Sequence, residues 1–261
     1  MHLQILSSGS GGNAALVRAG DAALLVDAGL PGPELETRLG AARLGHGGLD
    51  HVLVSHGHLD HARSAGVLAR RHKALLHCSE AIMSNASIRR HKRLATLTIG
   101  RSSVLENARG SDGVAVTPVE IPHDAPPTVA FRIEHGGRTA VILTDMGVPR
   151  PEVAARLRGA HVLVLEFNHD ARLLAMGPYP AVLKRRIAGN AGHLSNEQAA
   201  WMLREMADGN LHTLVLAHLS AHNNTPELAL ESACGALDAA GLRGVRVLVA
   251  SQDEVGENLE V

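Results

Sequence analysis

Apolar residues along this chain come in short runs rather than long stripes, and most runs are rich in valine, leucine and isoleucine. Runs of that kind, bounded by glycine, proline and polar clusters, read as buried β-strands. They predict strands over Leu3–Leu6, Ala14–Arg18, Ala23–Val26, His51–Val54, Ala74–His77, Val114–Val119, Val129–His135, Thr139–Thr144 and Val162–Phe167. Two more, Thr213–Ala217 and Arg246–Val249, fall late. Helical spacing predicts helices over Gly32–Gly40, Ala62–Arg71, Glu80–Arg90, Pro151–Arg158, Pro180–Ala188, Asn196–Ala207 and Pro226–Ala240. Ser195 with Gln198 has the form of a capping box, and Pro226 suits a first helical turn. The stretch Glu134-His135-Gly136-Gly137-Arg138 reads as a hairpin turn. Strands first, then strand–helix alternation, predict two sheets with helices outside, in a single domain spanning residues 1–261.

Composition narrows the class without naming it. A chain of 261 residues with 45% hydrophobic and 20% charged residues can bury a substantial core, as ordinary globular proteins do. No apolar run approaches the ~20 residues of a membrane helix, and the first residues carry no basic region or signal-peptide core, so a cytoplasmic location is expected. Cys78 and Cys234 suggest neither a disulfide framework nor a cysteine metal site, and both read as buried small apolar residues. A net charge of −1 leaves no global footprint for nucleic acid. Phe131, Phe167, Tyr179 and Trp201 are the whole aromatic set, which argues against a base-stacking platform. Contacts to a phosphate backbone through local basic patches stay open.

The chemistry concentrates where the strand His51–Val54 ends. Ser55-His56-Gly57-His58-Leu59-Asp60-His61 places three histidines and an aspartate within six residues. Imidazole and carboxylate are ligands that borderline divalent metals prefer. Residues two apart in extended chain point the same way, so His56 and His58 can share one ion. If the chain then turns into a helix, Asp60 and His61 can hold a second. With 17 histidines in the chain, scattered ones are expected. His46, His51, His72, His77, His91, His161, His212 and His222 have no ligand-like sequence neighbours and read as solvated or core residues.

A two-metal site needs more donors, and polar residues stranded at the ends of apolar strands supply them. His123 follows Val119-Glu120-Ile121-Pro122, Asp145 follows Ala140–Thr144, and His218 follows Leu214–Ala217. A lone aspartate at a strand end is commonly a cap or turn residue. Three such residues beside an incomplete metal motif favour coordination.

With these residues assembled, the chain resembles the metallo-β-lactamase superfamily over nearly its whole length, through His-x-His-x-Asp-His and the separated His123, Asp145 and His218. The resemblance implies an αβ/βα four-layer sandwich, two mixed β-sheets flanked by helices. It implies that His56, His58 and His123 bind one ion, that Asp60, His61 and His218 bind another, and that Asp145 bridges them. Asp27, in Leu25-Val26-Asp27-Ala28-Gly29, matches the early aspartate that orients the metal loop without touching metal. The ions are expected to be Zn²⁺, Mn²⁺ or Fe²⁺. Branches acting on β-lactams commonly carry cysteine where this chain has Asp145, so the resemblance points to phosphodiesterases, thioesterases and lactonases instead.

Longer signatures resemble the bacterial YycJ/WalJ group: Ser7-Ser8-Gly9-Ser10-Gly11-Gly12-Asn13, Leu165-Glu166-Phe167-Asn168-His169-Asp170, Met176-Gly177-Pro178-Tyr179-Pro180, Gly192-His193-Leu194-Ser195-Asn196 and Ala217–Asn224. That group is associated with 5′-to-3′ exonuclease action on DNA, and related branches protonate the leaving group with a histidine. His193 matches that histidine and Glu166 its acidic partner; with Asp60, whose loss should abolish hydrolysis, they form the expected catalytic set. Lys184, Arg185 and Arg186 are candidates to grip a phosphate backbone. The sequence shows no inserted second domain of the RNase J type and no long glycine- and basic-rich arm of the RNase Z type, so DNA ends, short oligonucleotides or small phosphodiesters are expected over structured RNA. The leading expectation is therefore a dinuclear phosphodiesterase that is an exonuclease on duplex DNA. A hydrolase of cyclic phosphodiesters, thioesters or lactones on the same metals is the alternative, and a binding protein with structural metals is the third. Oligomeric state is not readable from the sequence.

Overall fold

The computed structural model describes residues 1–45, 47–106 and 113–261; His46 lies outside the described residues. It contains two mixed sheets of seven strands each, flanked by helices. The chain divides into two compact units, Met1–Pro118 with Ile133–Arg138 and Ser251–Val261, and Val119–Arg132 with Thr139–Ala250.

In the first unit, β1 (His2–Ser7), β2 (Ala14–Ala19) and β3 (Ala22–Val26) form an antiparallel meander. The sheet then turns parallel through β4 (His51–Leu53), β5 (Leu75–Cys78) and β6 (Leu94–Thr96). The C-terminal strand Leu259–Glu260 pairs with β1. Helices α1 (Gly32–Ala41), α2 (Leu59–Ala62) and α3 (Ala65–His72) lie between strands, and Leu25, Leu35, Leu39, Val52, Leu68 and Leu76 share one buried cluster. Parallel strands buried on both faces need continuous apolar runs, which is why β3 and β4 show no alternation.

The helix expected over Glu80–Arg90 is absent; only a single 3₁₀ turn at Glu80–Ile82 forms. Local polar chemistry wins there. The Asn85 carboxamide oxygen accepts from the Ser87 N–H at 3.0 Å and its hydroxyl at 2.7 Å, offering the backbone a turn in place of a helix.

The second sheet runs from β7 (Ser103–Leu105) through β8 (Val114–Ile121), β9 (Thr128–His135), β10 (Arg138–Leu143), β11 (Val162–Glu166) and β12 (Thr213–Ala217) to β13 (Arg246–Val249). Gly136 and Gly137, with φ of 57° and 75°, make the two-residue turn between β9 and β10 where the hairpin was expected. β10 to β13 are parallel and bury nearly every side chain up to β12.

In the second unit, helices α4 (Pro151–Leu157), α5 (Ala171–Met176), α6 (Ala181–Ile187), α7 (Asn196–Met206) and α8 (Pro226–Ala239) accompany these strands. The Ser195–Gln198 capping box opens α7, and Pro226 stands in the first turn of α8 behind the Thr225 cap. α5 was not expected; Asp170 creates it by accepting from the N–H groups of Arg172 and Leu173. Cys78 is buried as expected, but Cys234 is exposed on the solvent side of α8. Among the described residues no helix is long and apolar enough to cross a membrane.

Candidate metal centre

The first unit contributes a cluster built on one loop. β4 is a short buried strand that ends at Leu53, the chain bends at Gly57 and His58, and α2 begins at Leu59, so a helix does follow the first two histidines. The His56 ring lies 4.8 Å from that of His58 and 4.2 Å from that of His61, and Asp60 Oδ2 is 3.6 Å from His61 Nε2. Asp27, at the exit of β3, braces the loop. Its Oδ1 accepts from the Ser55 N–H at 2.8 Å, and its Oδ2 accepts from the Ser55 hydroxyl at 2.8 Å and from His61 Nδ1 at 2.7 Å. Gly29 is needed for this brace, since a Cβ there would fall 1.7 Å from the Asp60 carbonyl oxygen.

The second unit contributes a cluster gathered from several strand ends. His123 follows β8, Asp145 follows β10, Glu166 closes β11, His218 follows β12, and His193 stands in the loop before α7. Parallel pairing in register, Leu143 with Leu165 and Glu166 with Ala217, brings these ends to one edge. Asp145, Glu166, His193 and His218 each offer a ligand atom within 4.8 Å of the others.

Glu166 is the hub of this cluster. It is fully buried, and its Oε1 accepts from His193 Nδ1 at 2.8 Å and His218 Nδ1 at 3.1 Å. Its Oε2 accepts from the Met146 N–H at 2.9 Å and the Leu194 N–H at 3.3 Å. Burial opposes its ionisation, yet the His193 charge and the two histidine hydrogen bonds prevail and hold it well below the usual glutamate value. Burial also opposes charging His193, but Glu166 and then Asp145 outweigh it and hold His193 above the ordinary histidine value. His123 goes the other way: burial lowers it despite Asp145.

Backbone geometry marks these residues. Among the described residues, the non-glycine positions with positive φ are Asp27, Arg43, Lys73, Asp145 and His218, at 55° to 62°. Lys73 simply ends α3. Asp27, Asp145 and His218 each leave a buried strand with the chain twisted into the left-handed region, a conformation costing roughly 1–3 kcal/mol that persists only where the surroundings enforce it.

The donor set fits divalent metal. His56, His61, His123 and His218 engage Nδ1 with Ser55 Oγ, Asp27, the Gly192 carbonyl and Glu166 respectively, at 2.7–3.1 Å. Anchoring Nδ1 in this way fixes ring orientation and leaves coordination to Nε2.

The basic triple divides. Lys184 Nζ donates to the Ala175 carbonyl at 2.7 Å and ties α6 to α5, Arg186 pairs with Asp124 at 2.7 Å, and Arg185 is exposed. Several scattered histidines find each other: His51 with His77 at 3.0 Å, and His161 with His212 by ring contact. Supporting residues that the sequence reading passed over include Ser55 and Asn168, whose side-chain amide donates to the His218 carbonyl at 2.9 Å. A small polar residue closing an apolar strand was the available signal.

Comparison with known proteins gives the family and the fold. Residues 23–219 match the family model of the beta-lactamase superfamily domain. The chain is 33% identical to the exodeoxyribonuclease YycJ of Bacillus anthracis over 241 residues, 92% of this chain and 90% of that protein. It is 31% identical to the exodeoxyribonuclease WalJ of Streptococcus pneumoniae serotype 2 over 227 residues, 86% and 84% of the two. The metallo-beta-lactamase fold protein YhfI from Bacillus subtilis superposes with a TM-score of 0.72 at 20% identity, covering 99% of both chains.

Proposed function

This chain belongs to the beta-lactamase superfamily as a metal-dependent hydrolase acting on ester bonds, and we propose that it is a dinuclear phosphodiesterase that digests duplex DNA from 5′ to 3′. The names of its two exodeoxyribonuclease relatives support the substrate. The observation that carries the chemistry is the Glu166–His193 pair.

In this reading His56, His58 and His123 would hold one divalent ion, Asp60, His61 and His218 would hold the other, and Asp145 would serve both. Such ions, when bound, supply water acidic enough to ionise near neutrality and positive charge against the phosphate oxygens. The rest falls to side chains. Phosphodiester cleavage releases an alkoxide that needs a proton. The His193 side chain keeps 22% of its surface exposed, against 2% for His218, so of the two rings on Glu166 it is the one a substrate can reach. Glu166 accepts a hydrogen bond from Nδ1–H and stabilises the charged ring, which leaves the Nε2 proton for the departing oxygen. In this reading Arg185, exposed on α6 between the tethered Lys184 and Arg186, contacts a backbone phosphate. A cytoplasmic location goes with this proposal.

The test is nucleotide release from 5′-phosphorylated duplex DNA by Mn²⁺-loaded protein, beside Asp60→Ala checked for fold by circular dichroism. Release by the wild type alone supports the reading. Equal release by both proteins, or none by either while small phosphodiesters or thioesters are cleaved, sinks it.

A further inference from the structure

Asn13 closes the loop between β1 and β2, and it is buried with 6% of its surface exposed. Its backbone N–H donates to the Asp60 carbonyl at 2.8 Å, and its own carbonyl accepts from the Gly29 N–H at 3.0 Å. The side chain is equally committed. Oδ1 accepts from the Gly9 N–H at 3.0 Å, and Nδ2 donates to the Gly9 carbonyl at 3.1 Å. A backbone N–H can only donate, so this pairing settles which way the amide is turned. The Nδ2 group then stands 3.0 Å from His61 Nε2.

The direction of that last bond follows from the other side of the ring. His61 Nδ1 lies 2.7 Å from Asp27 Oδ2, an acceptor, so in the tautomer that can bind metal through Nε2 the hydrogen sits on Nδ1. Nε2 therefore presents its single lone pair, and Asn13 donates into it. One lone pair serves a hydrogen bond or a metal ion, never both.

The loop offers little slack to resolve the conflict. Gln252 Oε1 accepts from the Gly11 N–H at 2.7 Å, and its Nε2 donates to Ser7 Oγ at 2.7 Å and the Gly12 carbonyl at 3.1 Å. With the backbone of Asn13 locked to Asp60 and Gly29, only its side chain can turn aside.

We propose that Asn13 competes with a divalent ion for the His61 lone pair, so that the ion assigned to Asp60, His61 and His218 binds more weakly than its neighbour and Asn13 sets the margin. The inference rests on the dinuclear reading above. It makes the Ser7–Asn13 loop a determinant of metal loading.

Stepwise Mn²⁺ binding to the metal-stripped full-length chain, followed by titration calorimetry, tests it. Asn13→Ala should tighten the second step by about two- to tenfold, the worth of one net hydrogen bond, and leave the first step unchanged. In the wild type labelled with ¹⁵N, the Asn13 side-chain NH₂ resonances should move with the second equivalent of Zn²⁺ and not the first, which requires no variant to fold. Two ions bound with an unchanged or weaker second step in Asn13→Ala, or amide resonances indifferent to Zn²⁺, would overturn the competition alone. Uptake of a single ion by both proteins overturns the dinuclear reading and this inference with it.

Discussion

The two clusters of candidate donors are built by opposite means. In the first unit His56, His58, Asp60 and His61 share one turn of chain, braced by side chains from elsewhere in that unit, Asp27 foremost. In the second unit His123, Asp145, Glu166, His193 and His218 come from separate strand ends and loops, and they meet only because β10, β11 and β12 pair in parallel register. A contiguous motif tolerates a loosely specified fold. A dispersed one needs the whole sheet correct before any two of its members touch. Each region also uses a carboxylate differently: Asp27 supports one histidine, whereas Glu166 ties two imidazoles of different prospective roles to one oxygen.

That difference can be broken or sharpened by experiment. After the loss of hydrolysis expected of Asp60→Ala, the largest effect should come from His193→Ala, which is expected to lower kcat by about 10²–10⁴-fold while leaving metal content intact. Elemental analysis of the purified variant decides the point. A parallel loss of metal would mean that the dispersed region does not separate its acid from its ligands.

Next is a pH effect seated in the first unit. His51 Nδ1 and His77 Nε2 are 3.0 Å apart on β4 and β5, and burial, then the His51 charge, pushes His77 down to about 4. The unfolded chain therefore binds the proton more readily than the folded one. Stability should be complete above the ordinary histidine value and fall as pH drops from there toward 4, by at most about 3 kcal/mol. Urea unfolding at successive pH values measures it, and the slope should flatten in His77→Leu.

Asp27→Asn should weaken metal binding by about 10- to 100-fold, because an amide nitrogen cannot accept from His61 Nδ1. Calorimetric metal titration reads this directly, and an unchanged affinity would show that the contiguous motif stands without its brace. The smallest effect belongs to Arg185→Ala. KM for DNA should rise a few-fold, and the dependence of log affinity on log salt should become shallower by about one, with kcat unchanged.

Much of the site was legible because its residues break the local pattern. Histidines after Val52-Leu53-Val54, and Asp145 and His218 after runs of valine and leucine, stand where apolar strands should simply end. The hairpin at Gly136-Gly137 and the Ser195–Gln198 cap are local devices and followed the expectation. The failed helix at Glu80–Arg90 shows the limit. Its spacing was adequate, but Asn85 found better partners in Ser87 and the Gly57 carbonyl, and the second of these is visible only once the chain has folded. Cys234 failed differently, since residue type alone does not say which face of α8 it occupies.

By itself the sequence determined the strand-rich α/β class and offered the candidate donors of the His-x-His-x-Asp-His motif, because periodicity and residue chemistry are local properties. Only the tertiary structure decided that Glu166 would serve two histidines, that Asn13 would reach the His61 lone pair, and that Asp27, Asp145 and His218 would carry left-handed backbone. Those outcomes depend on register and on close approach between segments far apart in the chain, and hydrogen-bond directions exist only after the partners have met.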